Sequence, residues 1–174
     1  MSRLTSLSPG ALAAFFQPES ASSLAMLLTI RDYTSDVVIA RLTDSYTKRI
    51  TETTTDVIYG IKGGVDNADF IFLPMEISLP SEDDNTAPKT SIVMHDVTRY
   101  ITPIIRALTN PPKVTIELVL TTTPTVVEAS FSGFYIINIT YNADTVNAEL
   151  VMTDYSVEPF PAHTFTPKYF PGLF

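Results

Sequence analysis

Cysteine is absent from this chain of 174 residues, and histidine occurs only twice. The absence of cysteine excludes disulfides, thiolate metal sites and a cysteine nucleophile, and it leaves the redox compartment open. The two histidines, His95 and His163, are far apart and fit no metal-binding spacing. Each is therefore expected to have a local structural role.

Basic residues are also scarce, since 11 Lys and Arg stand against 19 Asp and Glu, for a net charge of -8. Affinity for nucleic acid comes largely from neutralisation of phosphates by Lys and Arg, so we expect no specific nucleic-acid binding. Charged residues make up only 17% of the chain, against about 25% in typical globular proteins. A surface with so little charge suits a subunit that is covered by partners.

Long apolar runs and familiar catalytic motifs are missing as well. No stretch approaches the roughly 20 apolar residues of a membrane span, so no membrane insertion is expected. The N-terminal residues do not follow the pattern of a signal peptide, so secretion is not expected. There is no nucleotide-binding glycine loop and no serine-nucleophile elbow, and the acidic run 82–84 lacks the spacing of a calcium-binding EF-hand. We therefore predict no catalytic, metal-binding or cofactor-binding residues and no enzymatic activity.

Two helices are predicted within a single domain that spans residues 1–174. Ser8 followed by Pro9 is typical of a helix start and predicts a short N-terminal helix. A second, amphipathic helix is predicted at about 96–109, with Asp96 as its N-cap. Pro103 would cost about 3 kcal/mol inside a regular helix, so we expect a kink there or a start later than Asp96.

Strands are predicted on both sides of the second helix, which makes the fold mainly β (α+β). Their apolar residues alternate with polar ones, which favours antiparallel sheets with one face covered. Pro74 cannot donate to a ladder and indicates an edge position or a bulge. Residues 47–56 could form an edge strand or a loop. The predicted strands are 24–30, 36–42, 57–61, 70–79, 90–94, 114–120, 126–131, 135–141 and 146–152.

The segment 158–174 is rich in both proline and aromatic residues. It contains too much proline for a helix or a central strand, and its aromatic side chains would form a large exposed patch if it were solvated. We interpret it as an extended strap that docks on its own domain or on a neighbouring subunit. The predicted subunit-interface residues of this strap are Phe160, Phe165, Tyr169, Phe170, Leu173 and Phe174.

Four segments carry a resemblance to a known family: 73–80, 101–108, 112–120 and the ending from Glu158 to Phe174. In these segments the chain resembles a family of tailed-bacteriophage minor tail proteins of long-unassigned function. The genes of that family lie between a tape-measure gene and a tail-tip peptidase gene. The resemblance covers residues 72–174, and the proline-aromatic ending is its most specific part.

The resemblance implies a structural virion component at the distal end of a phage tail. The order of strands, one helix and further strands is similar to the tail-tube and distal-tail fold, an antiparallel β-sandwich flanked by a helix. Such proteins form a hexameric ring that joins the tail tube to the tail tip or baseplate. The implied partners are further copies of the chain and the tail-tube, tape-measure and baseplate hub proteins, assembled in the host cytoplasm. DNA would pass through the lumen of the ring without specific binding.

Three alternatives stay open from the sequence. A trimeric hub protein below the ring would differ in copy number per tail. An enzyme that degrades cell-wall glycan would need an acid-base pair, and nothing in the sequence selects two of the acidic residues for that role. A glycan-binding or receptor-binding module would bind the host surface by itself.

Overall fold

The computed structural model describes residues 7–17, 22–52, 57–78, 89–96, 99–142, 144–152 and Gly172. Within these residues strands predominate over two short helices, so the protein is mainly β as predicted. The helices are α1 (Pro9–Phe16) and α2 (Ile101–Ala107). The strands are β1 (Leu24–Arg31), β2 (Val38–Thr43), β3 (Lys48–Glu52), β4 (Val57–Gly63), β5 (Ala68–Phe72), β6 (Met75–Ile77), β7 (Lys89–His95), β8 (Lys113–Leu120), β9 (Thr123–Tyr141) and β10 (Thr145–Met152).

The strands form one sheet in the order β3-β4-β5-β2-β1-β8-β9-β10-β7-β6. Every described neighbouring pair is antiparallel except β2 and β5, so the prediction of antiparallel sheets is wrong at this pair. Strand β3 runs in the same direction as β2. The chain then reverses between β3 and β4 and again between β4 and β5. As a result β5 returns in the direction of β2 and pairs with it in parallel.

The sheet curls so far that β2 and β7 lie on either side of one short link. In a flat sheet the four strands between them would hold them roughly 24 Å apart. Instead the two-residue link between β5 and β6 bonds to both sides: the Leu73 N–H donates to the Thr43 carbonyl at 2.9 Å, and the His95 N–H donates to the Pro74 carbonyl at 2.8 Å. The predicted strand 70–79 is thus divided at Pro74, where a missing N–H disturbs no ladder.

The main hydrophobic core lies inside this curl. It contains side chains from β1, β2, β6, β7, β8, β9 and β10, together with Ile101 of α2. A second, smaller core on the opposite face of β1 joins Ala25 and Leu27 to Ile61 and Phe70 of the β4–β5 hairpin. Strand β1 is therefore buried on both faces, which differs from the predicted sheet with one face covered.

Helix α1 forms where its local sequence signals place it, whereas α2 is shorter than predicted. Helix α1 begins after Ser8, whose Oγ accepts a hydrogen bond from the Ala11 N–H at 3.1 Å. Helix α2 begins five residues after Asp96, which confirms the alternative of a later start, so the range 96–109 was too long. Pro103 falls in the first turn of α2, where no backbone N–H is needed for an intrahelical bond. Within the described residues, neither helix is long and apolar enough to cross a membrane.

The second half of the sheet follows the predicted hairpins with one difference. We predicted a turn at 121–125 and separate strands at 126–131 and 135–141, whereas β9 is one strand of 19 residues. At the places where the sequence pattern suggested strand ends, β9 instead continues. It shifts its register against β8 and has a positive φ of 85° at Gly133. The β9–β10 hairpin forms as predicted, and its turn is closed by the Asn142 N–H donating to the Thr145 carbonyl at 2.8 Å.

Candidate assembly surface

The β3–β4 hairpin forms an arm whose free end is exposed on both faces. All three first residues of β4, Val57, Ile58 and Tyr59, are exposed, although consecutive strand residues point to opposite faces. Four of the five residues of β3 are exposed as well. The part of the hairpin from Lys48 to Glu52 and from Val57 to Tyr59 is called the arm below. Apolar side chains on both faces of the arm are therefore accessible to another molecule.

Charged side chains follow the free edge of the arm. Arg49 lies opposite Tyr59 in the hairpin register, and its Nη1 is 2.7 Å from the Glu52 carboxylate. Hydrogen bonds to the Tyr59 side chain and then to Glu52 raise the pKa of Arg49 above its ordinary value. An edge strand that carries fixed charges resists pairing with other strand edges. The arm is therefore suited to side-chain contacts more than to sheet extension.

A groove of about 610 Å³ opens between the arm, the end of β5 and the start of α2. Most of its lining is apolar or aromatic, and Arg99 is the one charged residue among the described residues that line it. The groove is lined by Val57, Ile58, Tyr59, Ile71, Phe72, Leu73, Arg99 and Tyr100. The Tyr46 ring packs edge-on against Phe72 with centroids 5.4 Å apart and extends this apolar surface, since Tyr46 itself is exposed.

Buried Asp96 fixes the wall of the groove that precedes α2. Its Oδ1 accepts hydrogen bonds from the backbone N–H groups of Tyr100 at 2.7 Å and Ile101 at 3.3 Å. Its Oδ2 accepts from the N–H of Thr102 at 2.8 Å and from the Thr102 hydroxyl at 2.6 Å. These bonds satisfy the N–H groups that a helix start leaves without partners. The N-cap position of α2 belongs to Tyr100 and not to Asp96 as predicted, but the Asp96 carboxylate satisfies the first N–H groups of the helix and places Arg99 and Tyr100 beside the groove.

A polar cluster holds the turn that joins β4 to β5 against the sheet. Asp66 of this turn lies 3.5 Å from both Arg31 and Arg41, and Glu117 of β8 is buried nearby. Burial raises the pKa of Glu117, a hydrogen bond from the Val65 backbone opposes the shift, and the charge of Asp66 adds to it. This cluster therefore holds the end of β4 that lies away from the arm.

The arm and the groove together have the composition of a protein-binding surface. Exposed aromatic and apolar residues around one charged group are typical of protein interfaces. Among the described residues, no group of three or more His, Asp or Glu side chains could hold a metal ion. His95, the one described histidine, is the last residue of β7. Its backbone N–H donates to the Pro74 carbonyl in the link between β5 and β6.

The six interface residues predicted in the strap, Phe160, Phe165, Tyr169, Phe170, Leu173 and Phe174, lie outside the described residues, as does His163. The groove was not predicted from the sequence. The apolar run at 57–61 correctly indicated a strand, but a buried and an exposed apolar strand have the same sequence pattern. The one signal in the sequence was the polar, threonine-rich stretch 47–56, which was left open as an edge strand or a loop, and its residues Lys48–Glu52 form the edge strand β3.

No model of a known protein family matches the chain, and a search of curated proteins finds no relative.

Proposed function

We propose that the chain is a structural component at the distal end of a bacteriophage tail, where it forms a hexameric ring that joins the tail tube to the tail tip. The observation that carries this proposal is the exposed arm with its adjoining apolar groove. Val57, Ile58 and Tyr59 are between 36% and 44% exposed, and Tyr46 is 70% exposed. Burial of such side chains against a second protein lowers the free energy of the complex.

A ring requires that one surface of each subunit binds a different surface of the next. The arm and groove offer the first surface, and the strap 158–174 offers the second. In this proposal the strap residues Phe160, Phe165, Tyr169, Phe170, Leu173 and Phe174 lie in the contact between subunits. No catalytic group and no cofactor takes part.

The fold in this proposal is a tail-tube-like β-sandwich. Support comes from the curl of the sheet, which brings β2 and β1 to one side of the main core and β10 and β7 to the other. The helix α2 contributes Ile101 to the same core and flanks the sandwich. The parallel pairing of β2 and β5 ends next to the link Leu73–Pro74, through which the chain passes from β5 to β6.

The proposed partners are further copies of the chain, the tail-tube and tape-measure proteins and the baseplate hub, within the virion. The net charge of -8 suits a lumen through which DNA passes, because an acidic wall repels phosphate and reduces adhesion. A ring whose lumen carries mainly Lys and Arg would count against this role.

Electron microscopy of the purified full-length protein tests the proposal. We expect closed rings with six-fold symmetry and an open centre. Three-fold particles would favour the trimeric hub protein in place of the ring. Particles without rotational symmetry, at concentrations well above those of tail assembly, would overturn the proposed function.

A further inference from the structure

We infer that the groove receives the strap 158–174 of a neighbouring copy of this chain. This inference rests on the proposed function, since it names the contact that would close the ring. The strap would cover apolar side chains of the arm and groove that are exposed in the single chain.

The chemistry of the strap matches the lining of the groove. The strap carries Phe160-Pro161, Thr166-Pro167 and Phe170-Pro171, and a chain so rich in proline favours the extended polyproline conformation. Such segments bind in grooves lined by aromatic side chains, at low cost in conformational entropy. Tyr59, Phe72 and Tyr100 supply that kind of lining. These rings can pack against prolines. Pairing with a sheet edge would instead need backbone N–H groups, which proline lacks.

Charge also matches between the two surfaces. Glu158 is the one acidic residue of the strap, and Arg99 is the one charged residue among the described residues that line the groove. An exposed pair of this kind adds less than about 1 kcal/mol, but it sets the direction in which the strap lies.

The direction of β10 favours a neighbouring copy over the same chain. Thr145, at the start of β10, pairs with His95 near the groove, whereas Met152, at the end of β10, pairs with Phe134 at the far end of the sheet. The strand runs away from the groove over about 23 Å, since eight residues rise about 3.3 Å each. The six steps from Met152 to Glu158 span at most about 22 Å, so Glu158 lies beside Arg99 of its own subunit only if the chain doubles straight back along β10. A strap that enters the groove of a neighbouring copy does not need to turn back along β10.

Disulfide trapping tests this inference cleanly, because the chain contains no cysteine of its own. Thr166→Cys places a thiol on the strap and leaves its aromatic residues, its prolines and Glu158 in place. Ile58→Cys places a thiol in the groove at an exposed position, so the core is not disturbed. Val37→Cys is the matched control, because Val37 is 61% exposed and precedes β2 at the end remote from the groove.

Full-length Thr166→Cys protein, labelled with a heavy isotope, is mixed with unlabelled Ile58→Cys or Val37→Cys protein and mildly oxidised. Intact mass then identifies the mixed disulfide dimers. We expect at least about tenfold more mixed dimer with Ile58→Cys than with Val37→Cys, because docking raises the effective concentration of the two thiols. Equal yields from the two would overturn the groove as the docking site.

A double variant, Ile58→Cys with Thr166→Cys, separates the two possible sources of the strap. If this variant closes a disulfide within single chains while the mixed single variants do not cross-link, docking in the same chain replaces docking in a neighbour. Rings seen by microscopy without groove cross-links would leave the proposed function standing and remove this inference. Specific cross-links without rings would support the groove and contradict the ring.

Discussion

The carboxylate of Glu128 accepts two hydrogen bonds from Ser8, a residue 120 positions earlier in the chain. The Ser8 backbone N–H donates to Oε2 at 2.8 Å, and the Ser8 hydroxyl donates to Oε1 at 2.7 Å. Glu128 is only 5% exposed, and a buried carboxylate is tolerated where hydrogen bonds satisfy it. The contact therefore ties the first helix to the middle of β9 and orients the hydroxyl that caps α1.

Ser8→Ala is expected to lower the free energy of unfolding by about 2 kcal/mol, since it removes a helix cap and leaves one oxygen of Glu128 without its partner. Ser8→Thr keeps the hydroxyl and serves as the control, with a loss below about 1 kcal/mol. Urea unfolding followed by circular dichroism measures both. Equal stability of Ser8→Ala and the unaltered protein would show that the Ser8 hydroxyl contributes nothing.

Gly60 holds the arm close to β5. A Cβ at this position would overlap the carbonyl oxygen of Phe70, which is backbone and cannot rotate away. Gly60→Ala is therefore expected to separate β4 from β5 at this point and to cost about 3 kcal/mol in the free energy of unfolding.

Gly133→Ala is the control for this substitution. Gly133 has a φ of 85°, and no neighbouring atom lies within 4 Å of the place that a Cβ would take. The added methyl group therefore meets only backbone strain of about 1 kcal/mol. Thermal unfolding compares the two variants. A smaller loss for Gly60→Ala than for Gly133→Ala would contradict the close approach of the arm to β5.

Glu117 provides a prediction about pH. Burial raises the pKa of this carboxyl above its ordinary value of 4.5, so the folded state binds the proton more tightly than the unfolded state. Stability from this group is complete below pH 4.5 and is lost as the pH rises through the pKa of the folded state. Glu117→Gln cannot ionise and keeps an acceptor for the Val65 N–H.

We therefore expect the same urea midpoint for Glu117→Gln and the unaltered protein near pH 4, and a higher midpoint for Glu117→Gln at pH 7. The two proteins differ only at this side chain, so the comparison reports the Glu117 carboxyl together with its interactions with Asp66 and Arg31. A variant that is less stable at pH 7 than the unaltered protein would mean that attraction between Glu117 and Arg31 outweighs the burial of the carboxylate.

Asp96 links the stability of α2 to the groove. Asp96→Ala leaves the N–H groups of Tyr100, Ile101 and Thr102 without their carboxylate partner, and we expect a loss of about 2 kcal/mol. Asp96→Asn retains one acceptor and should lose about half as much. Hydrogen exchange at residues 100–102 should rise in the same order. Unchanged exchange in Asp96→Ala would show that packing of Ile101 alone holds the start of α2.

Local signals predicted the elements that depend on neighbouring residues. Ser8 before Pro9 predicted the start of α1, and the turn at 142–145 predicted the β9–β10 hairpin, because cap and turn chemistry act within a few residues. Pro103 left two alternatives, a kink or a later start of α2, and the second is the one that the structure has. In each case the residues that determine the geometry are adjacent in the sequence.

The remaining features depend on contacts between distant residues, which one sequence does not reveal. The hydrogen bonds of Ser8 to Glu128 join residues that are 120 positions apart in the sequence. The parallel pairing of β2 with β5 depends on how the arm reverses the chain. The groove requires β5, the arm and the start of α2 to meet, and their apolar residues have the same pattern whether they are exposed or buried.

The mass of the purified protein in solution tests the central claim most directly. It is measured by sedimentation at two concentrations for the full-length chain and for a variant that lacks Glu158–Phe174. We predict hexamers for the full-length chain and loss of the hexamer in the shortened variant, because the strap makes the repeated contact of the ring. A full-length chain that stays monomeric at both concentrations would contradict a ring-forming subunit, and hexamers that persist without the strap would contradict the strap as the contact that closes the ring.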